Sequence, residues 1–277
     1  MYHALKPGLF LALALSLQPL STATADNSTE CAPPKNWQAI MEKAQGKVIV
    51  FGELHGTQEY PKLVGEFICA AAKQGRQVLF LMEQGADKSE ALNATLNSQD
   101  EEPWEAATPD FWHAKSQDGR KSQAMHALLE RLRALKQGGA DISVGAFGAT
   151  IQNFLKLGRP EGIEWVYEEE TVHLSTALKN NDLVISLVGS FHPVKYAEHA
   201  AREKIFAINH EHKSGTAWVC SEGVCGEKPY KASKDVERFA HHAPSTLVFP
   251  EEDMDTTVYS AYLYTGSVTA SPPAFAK

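Results

Sequence analysis

Four short apolar runs recur along the chain: "KVIVF" (residues 47–51), "QVLFLM" (77–82), "DISVGAF" (141–147) and "DLVISLVG" (182–189). Each is about the length of a strand, and none alternates apolar with polar residues as a half-wet strand would. They read as strands buried on both faces, which places them in a parallel sheet covered by helices. The segments between them have helical character. Pro61 opens "KLVGEFICAAAKQG", and Gly75 stops it. In "KSQAMHALLERLRALKQGG", Ala124, Met125, Leu128, Leu129, Leu132 and Leu135 recur at helical spacing before Gly138 and Gly139 end the segment. "WVYEEETVHLSTALKNN" precedes the fourth run. Strand and helix alternate in order, so the expected fold is α/β, a mainly parallel central sheet flanked by helices. Residues 84–119 are polar and irregular, long for a connector, and read as a helical or irregular lid insertion. "KIFAIN" and "GTAWVC" read as two later strands.

The two ends bound the domain. Lys6, the apolar stretch "GLFLALALSL" and "STATA" form the pattern of a cleaved signal peptide over residues 1–25. That implies a periplasmic or secreted protein with no integral membrane segment in the mature chain. Residues 26–44 read as an N-terminal arm, 45–250 as one domain, and 251–277 as a polar, frayed C-terminal tail. Four cysteines in an oxidising compartment pair in one of three ways. "CSEGVC" makes Cys220–Cys225 the local pair, leaving Cys31–Cys69 to staple the arm to the first helix. A formal charge of −8 argues against a nucleic-acid partner.

Chemistry-bearing residues sit at the ends of the apolar runs. The first ends in Gly52-Glu53-Leu54-His55, the second in Glu83, the fourth in "GSFH", which closes on His192. Ligands of parallel sheets bind beyond the carboxyl ends of the strands, so three strands bring two carboxylates and two imidazoles to one edge. A charged group directly after a buried strand is costly unless it is paired, hydrated or bound. Glu53, His55, Glu83 and His192 therefore make a candidate divalent-metal set for Mn, Co, Zn or Fe, with one glutamate free to act as general base. Arg120, in "SQDGR" at a helix start, is the candidate substrate or oxyanion contact. The chain contains no phosphate-binding Gly-rich loop, no H-E-x-x-H and no G-x-S-x-G elbow.

"FGELHGTQEYP", "LFLMEQ" and "LVGSFH" together resemble the superfamily of ChaN-type haem-binding uptake proteins, erythromycin-esterase-like hydrolases and TIKI/TraB metalloproteases. That superfamily has a Gly-Glu…His motif after the first strand, a Glu after the second and a late G-x-x-H. Glu53, His55, Glu83 and His192 match it position by position, and 118–133 resembles its Arg-bearing helix start. The wording "His55-Gly56-Thr57" is nearer the esterase-like branch. The resemblance implies an exported metal-dependent hydrolase of an ester or amide bond, acting on a small molecule or peptide. Its alternative is a haem- or iron-binding uptake protein without hydrolysis, with Tyr60 or the lid aromatics Trp104, Phe111 and Trp112 meeting the porphyrin.

Overall fold

The computed structural model describes residues 30–199, 202–233, 236–254 and 256–275. The expected signal peptide lies outside them. Eight strands are β1 (Val48–Glu53), β2 (Val78–Gly85), β3 (Ile142–Gly148), β4 (Leu183–Gly189), β5 (Ile205–Ser221), β6 (Val224–Tyr230), β7 (Thr246–Val248) and β8 (Ala261–Val268). They form one sheet in the order β3-β2-β4-β1-β5-β8-β7, with β6 paired to β5. All pairs are parallel except β5–β6 and β7–β8. The helices are α1 (Trp37–Lys43), α2 (Glu59–Lys73), α3 (Ser89–Thr95), α4 (Pro103–Ala107), α5 (Pro109–Trp112), α6 (Gln123–Gln137), α7 (Ile151–Lys156), α8 (Glu164–Asn180), α9 (Phe191–Tyr196) and α10 (Val236–Phe239). The α/β fold with a mainly parallel sheet flanked by helices is the one expected.

Each face of the sheet carries its own apolar cluster. On one, Phe51, Phe80 and Ile185 pack with Phe67 of α2 and Leu128 and Leu132 of α6. On the other, Val50, Leu81 and Val184 pack with Tyr167 and Leu174 of α8. Two covered faces explain why the strands are continuously apolar. β3 is an edge strand, and α3 blocks its free backbone groups. Ser89 Oγ receives the Ala146 N–H and donates to its carbonyl, both at 3.0 Å, and Asn93 Oδ1 receives the Val144 N–H. Such cover removes the template for edge pairing.

The insertion between β2 and α6 is built of short helices. Trp104 and Trp112 are buried in the core cluster, and the Trp112 indole donates to the Trp104 carbonyl at 2.8 Å. The aromatics pin this segment to the body.

Two expectations need correction. The polar stretch "HEHKS" does not separate two strands; it continues one 17-residue strand, β5. His210 makes this possible. Its Nδ1 accepts the Leu54 N–H at 3.4 Å, and its Nε2 meets Thr265 Oγ1 at 2.9 Å. The region past Pro250 is not a frayed tail either. β8 is buried between β5 and β7, and the sheet continues beyond residue 250. The chain then runs past the loops at the sheet's carboxyl edge. Thr269 O accepts the Gln58 N–H, Pro272 O accepts the Gln123 N–H, and Phe275 packs on Trp112.

Both expected disulfides are present. Cys31–Cys69 ties the arm to α2 with Cα atoms 5.7 Å apart, and Cys220–Cys225 bridges opposed positions of β5 and β6 at 3.9 Å. They accord with an oxidising compartment. Among the described residues no helix is long and apolar enough to cross a membrane.

Candidate functional site

β2, β4 and β1 are adjacent, so their carboxyl ends meet. Glu53 closes β1 opposite Gly189 of β4. The Ser190 N–H donates to the Glu53 carbonyl at 2.8 Å, and α9 follows with His192 in its first turn. Glu83 ends the regular part of β2, where the register with β3 shifts. The loop carrying His55 is fixed by backbone packing. Gly56 has φ +84°, its carbonyl accepts the N–H groups of Trp218 and Ser271, and a Cβ there would lie 2.1 Å from the Trp218 carbonyl oxygen. Gly119 backs onto the same loop, where a Cβ would lie 1.9 Å from the Gly56 nitrogen. The turn bearing Arg120 is thereby set directly against the turn bearing His55.

The four expected residues come together in a chain. His55 Nδ1 donates to Glu53 Oε1 at 2.8 Å, and its Nε2 is 3.4 Å from Glu83 Oε2. His192 Nε2 lies 3.4 Å from Glu83 Oε1. Arg120 Nη1 donates to the same Oε1 at 2.8 Å, while its Nε and Nη2 hold Asp118. The Gly189 N–H donates to Glu83 Oε2 at 3.1 Å. Glu83 is thus a buried-side hub ringed by donors, and its carboxylate keeps an opening to a cleft of about 630 Å³ whose floor it shares with Arg120, His192 and Glu170.

Glu170 was not expected. It lies on α8, is 2 % exposed, and its Oε2 accepts His192 Nδ1–H at 2.9 Å and the Tyr196 hydroxyl at 2.8 Å. The result is an unbroken alternation, Glu53–His55–Glu83–His192–Glu170. A signal was available: Tyr167, Glu170, Thr171 and Leu174 are the buried positions of α8, at helical spacing. The last glutamate of "EEE" (168–170) reads as part of a solvated face unless that phase is followed.

Protonation follows from the pairing. Burial alone would lower the His55 pKa, but hydrogen bonds to Glu53 and Glu83 outweigh it and carry it up to about 10. His192 behaves alike, with burial opposed by Glu170 and Glu83, and rises to about 9. Burial would raise Glu83, yet the two imidazoles hold it well below the usual carboxylate range. Burial wins at Glu53, which is raised despite His55. Its Oε2 is buried with no hydrogen-bond partner among the described residues.

The structure does not show the expected metal centre. Each imidazole has one nitrogen committed to a carboxylate and the other turned to Glu83, where a guanidinium already sits. Among the described residues no group of three or more His, Cys, Asp or Glu is placed to hold a metal ion. Of the residues named for haem, Tyr60 is 0 % exposed with its hydroxyl donating to the Ile208 carbonyl, Trp104 and Trp112 are buried, and Phe111 is half-buried.

Other glutamate and histidine side chains are engaged elsewhere. Glu59 accepts the Thr269 N–H at 2.9 Å in the first turn of α2. His210 is buried among apolar and neutral neighbours, and burial drives its pKa well down. His212 is held by the Lys231 carbonyl and Ser233. His173 Nδ1 donates to the Phe147 carbonyl.

No family model matches the chain, and no curated protein does. Solved structures do. A histidine-to-asparagine variant of erythromycin esterase EreC in its open conformation aligns over 84% of this chain and 93% of its own, at 10% identity and TM-score 0.56. A succinoglycan biosynthesis protein aligns over 90% and 94%, at 7% identity and TM-score 0.52. ChaN of Campylobacter jejuni, solved with cofacial haem, aligns over 62% and 84%, at 10% identity and TM-score 0.36. At these identities the likeness to the first two shows a shared fold, the one the sequence motifs implied.

Proposed function

We propose that the chain is a hydrolase of an ester or amide bond that works by proton transfer between glutamate and histidine side chains. The observation that carries this reading is the alternation Glu53–His55–Glu83–His192–Glu170, open to a cleft at Glu83 and His192. With values of about 10 and about 9, both imidazoles hold protons at neutral pH. Glu83 is the ionised acceptor between them.

In this reading a water bound at Glu83 gives it a proton as the water oxygen adds to the substrate carbonyl carbon. His192 Nε2–H, aided by Arg120, steadies the negative oxygen that forms. His192 then gives its proton to the leaving oxygen or nitrogen as that bond to carbon breaks. The proton on Glu83 passes back to His192 Nε2 across the 3.4 Å contact, restoring the resting state. Removing one acid–base group costs roughly 10²–10⁴-fold. Glu53 and His55 are positioning residues that keep a positive charge behind Glu83. The low pKa of Glu83 makes it a weak base, which the flanking cations compensate by stabilising the anion formed at the carbonyl. Export through residues 1–25, with a small-molecule or peptide substrate, belongs to the same proposal.

The test is hydrolysis of p-nitrophenyl acetate and the corresponding anilide by the purified chain, before and after dialysis against a chelator. Turnover that survives the chelator and falls at least about 100-fold in Glu83→Gln is expected. No turnover of either compound, or turnover that the chelator abolishes and Mn²⁺ or Zn²⁺ restores, overturns the reading.

A further inference from the structure

Among the described residues, five of the eight exposed large apolar side chains gather on α7, the segment after it and the start of α9, while Val172 lies on α8 and Val224 and Tyr230 on β6. Ile151 (63 %), Leu155, Leu157 and Ile163 (55 %) belong to α7 and the turn after it, and Phe191 directly precedes His192. Ile151 and Ile163 also line the cleft whose floor is Glu83, Arg120, His192 and Glu170. Phe154 and Trp165, with rings 5.5 Å apart, continue the wall, and the Tyr167 ring lies 6.3 Å from that of Phe191. A single concave surface therefore has a charged, proton-bearing end and an apolar, aromatic side. Its volume of about 630 Å³ falls within the range of small-molecule sites, about 300–1,000 Å³.

Contiguous exposed apolar surface marks a place where something apolar binds. Here the apolar wall and the charged cluster line the same cleft, so an occupant seated in it meets both. A flat protein or membrane contact would use the outer rim without entering. We propose that the cleft receives the hydrocarbon chain of an amphiphilic acyl ester, lying against Ile151, Phe154, Ile163 and Trp165 with its carbonyl at His192 and Glu83. This deepens the hydrolase reading and rests on it. The reaction is the same: water adds its oxygen to the acyl carbon, the carbon–oxygen bond to the alcohol breaks, and the alcohol leaves with a proton. The apolar wall sets which acyl group is held there.

The experiment compares kcat/KM for p-nitrophenyl acetate, butyrate and octanoate, each below its aggregation concentration. It uses the full chain and the double variant Ile151→Asn, Ile163→Asn. The expected octanoate-to-acetate ratio is at least about 10 in the parent, since every methylene buried against such a wall multiplies binding severalfold. The ratio should collapse towards one in the variant. Acetate cleaved with a flat ratio overturns the acyl-chain assignment and leaves the hydrolase intact. Intrinsic tryptophan fluorescence titrated with sodium octanoate, with Trp165→Phe to identify the share of the cleft tryptophan, provides a readout that needs no turnover. Saturable binding weakened at least about tenfold in the double variant supports the assignment even where no ester is cleaved, an outcome that would refute the hydrolase alone. Absence of octanoate binding, or binding only to phosphatidylcholine vesicles, overturns it.

Discussion

Glu170 Oε2 lies 2.9 Å from His192 Nδ1, joining a residue in the middle of α8 to one at the start of α9. The contact fixes which imidazole nitrogen faces the cleft, because Nδ1 is spent on Glu170 and only Nε2 remains for Glu83 and substrate. Tyr196, one helical turn beyond His192, donates to the same oxygen at 2.8 Å. Glu170 is thus a positioning residue. Glu170→Gln should lower kcat by about 10–100-fold, the scale for a partner that orients a catalytic group, with KM little changed. The alkaline limb of the pH–rate profile should move to lower pH, since His192 loses one of its two carboxylates. Tyr196→Phe should have a smaller effect of the same kind. An unaltered alkaline limb in Glu170→Gln would detach Glu170 from the site.

Stability should also report these protons. His55 and His192 are raised in the folded chain, to about 10 and about 9, from an ordinary 6.5. A raised imidazole stabilises the fold fully below pH 6.5, and the contribution is lost as pH climbs through 9 and 10. Glu53, raised by burial, adds the same sign at lower pH. Glu83, depressed by its histidines, contributes above pH 4.5 and loses that contribution in acid. Melting temperature should therefore be highest in mildly acid buffer and fall from pH 6.5 to 10, each histidine adding a slope of up to about 1.4 kcal/mol per pH unit. His192→Gln should flatten the fall. A melting temperature constant from pH 6.5 to 10 contradicts the paired histidines.

Glu53, His55, Glu83 and His192 are legible in the sequence because each directly follows an apolar strand, where an unexplained charge stands out. Their mutual arrangement is less so. Residue types compatible with a metal set are equally compatible with a chain of ion pairs, and the imidazole orientations and the presence of Arg120 on Glu83, which favour the ion pairs, come from tertiary packing. Glu170 hides inside "EEE", where Glu168 and Glu169 look the same until the rotation of α8 is known. β5 and β8 were obscured for a related reason. His210 and His212 are buried polar residues whose hydrogen bonds come from distant segments, so local polarity suggested a loop. "AYLYTGSV" lies after a proline and an acidic stretch that resemble the start of a tail.

Truncation after Pro250 would remove the strand that pairs with both β5 and β7, Leu263 with it, and would uncover Ile208 and Leu247, each 0 % exposed in the same core cluster. The truncated chain should fail to fold, appearing in inclusion bodies or without a cooperative thermal transition, although truncating a frayed tail would be harmless. A soluble, cooperatively melting chain of residues 26–250 would restore the tail reading.

The contact between the two site loops gives a further test. Gly56 needs both a positive φ and the absence of a side chain, because a Cβ would meet the Trp218 carbonyl at 2.1 Å. Gly56→Ala should cost at least about 2 kcal/mol, by strain and by forcing β5 away from the loop. Gly46 also has a positive φ, but nothing lies within 4 Å of its missing side chain. Gly46→Ala should therefore cost only the backbone strain, about 1–2 kcal/mol, with activity preserved. Denaturant titrations of both variants, with ester turnover of each, separate the two cases. Equal loss of activity in both would mean that loop packing does not govern the site.

Glu83→Gln tests the centre of the arrangement. The substitution keeps the shape and hydrogen-bonding reach of the side chain while removing the charge that balances His55, His192 and Arg120. Breaking a buried ion pair from one side costs about 3–5 kcal/mol, less where the stranded groups can shed their protons. The two histidines can do so, since Glu53 and Glu170 still hold their Nδ1 atoms and the Nε2 protons are free to leave. The expected stability loss is therefore about 1–3 kcal/mol, accompanied by an activity loss of at least about 100-fold. A purely structural Glu83 would give the first without the second when turnover is measured well below the melting transition. Added Mn²⁺ or Zn²⁺ separates the two chemistries. A ligand that binds only the native state raises its melting temperature, so a metal centre would show a rise in the parent that Glu83→Gln weakens. The alternating carboxylate–imidazole chain predicts no rise in the parent, because the Arg120 guanidinium and the two imidazolium groups already supply the positive charge around Glu83. A saturable metal-dependent rise of several degrees, lost in Glu83→Gln, would return these residues to metal chemistry and remove Glu83 as the base.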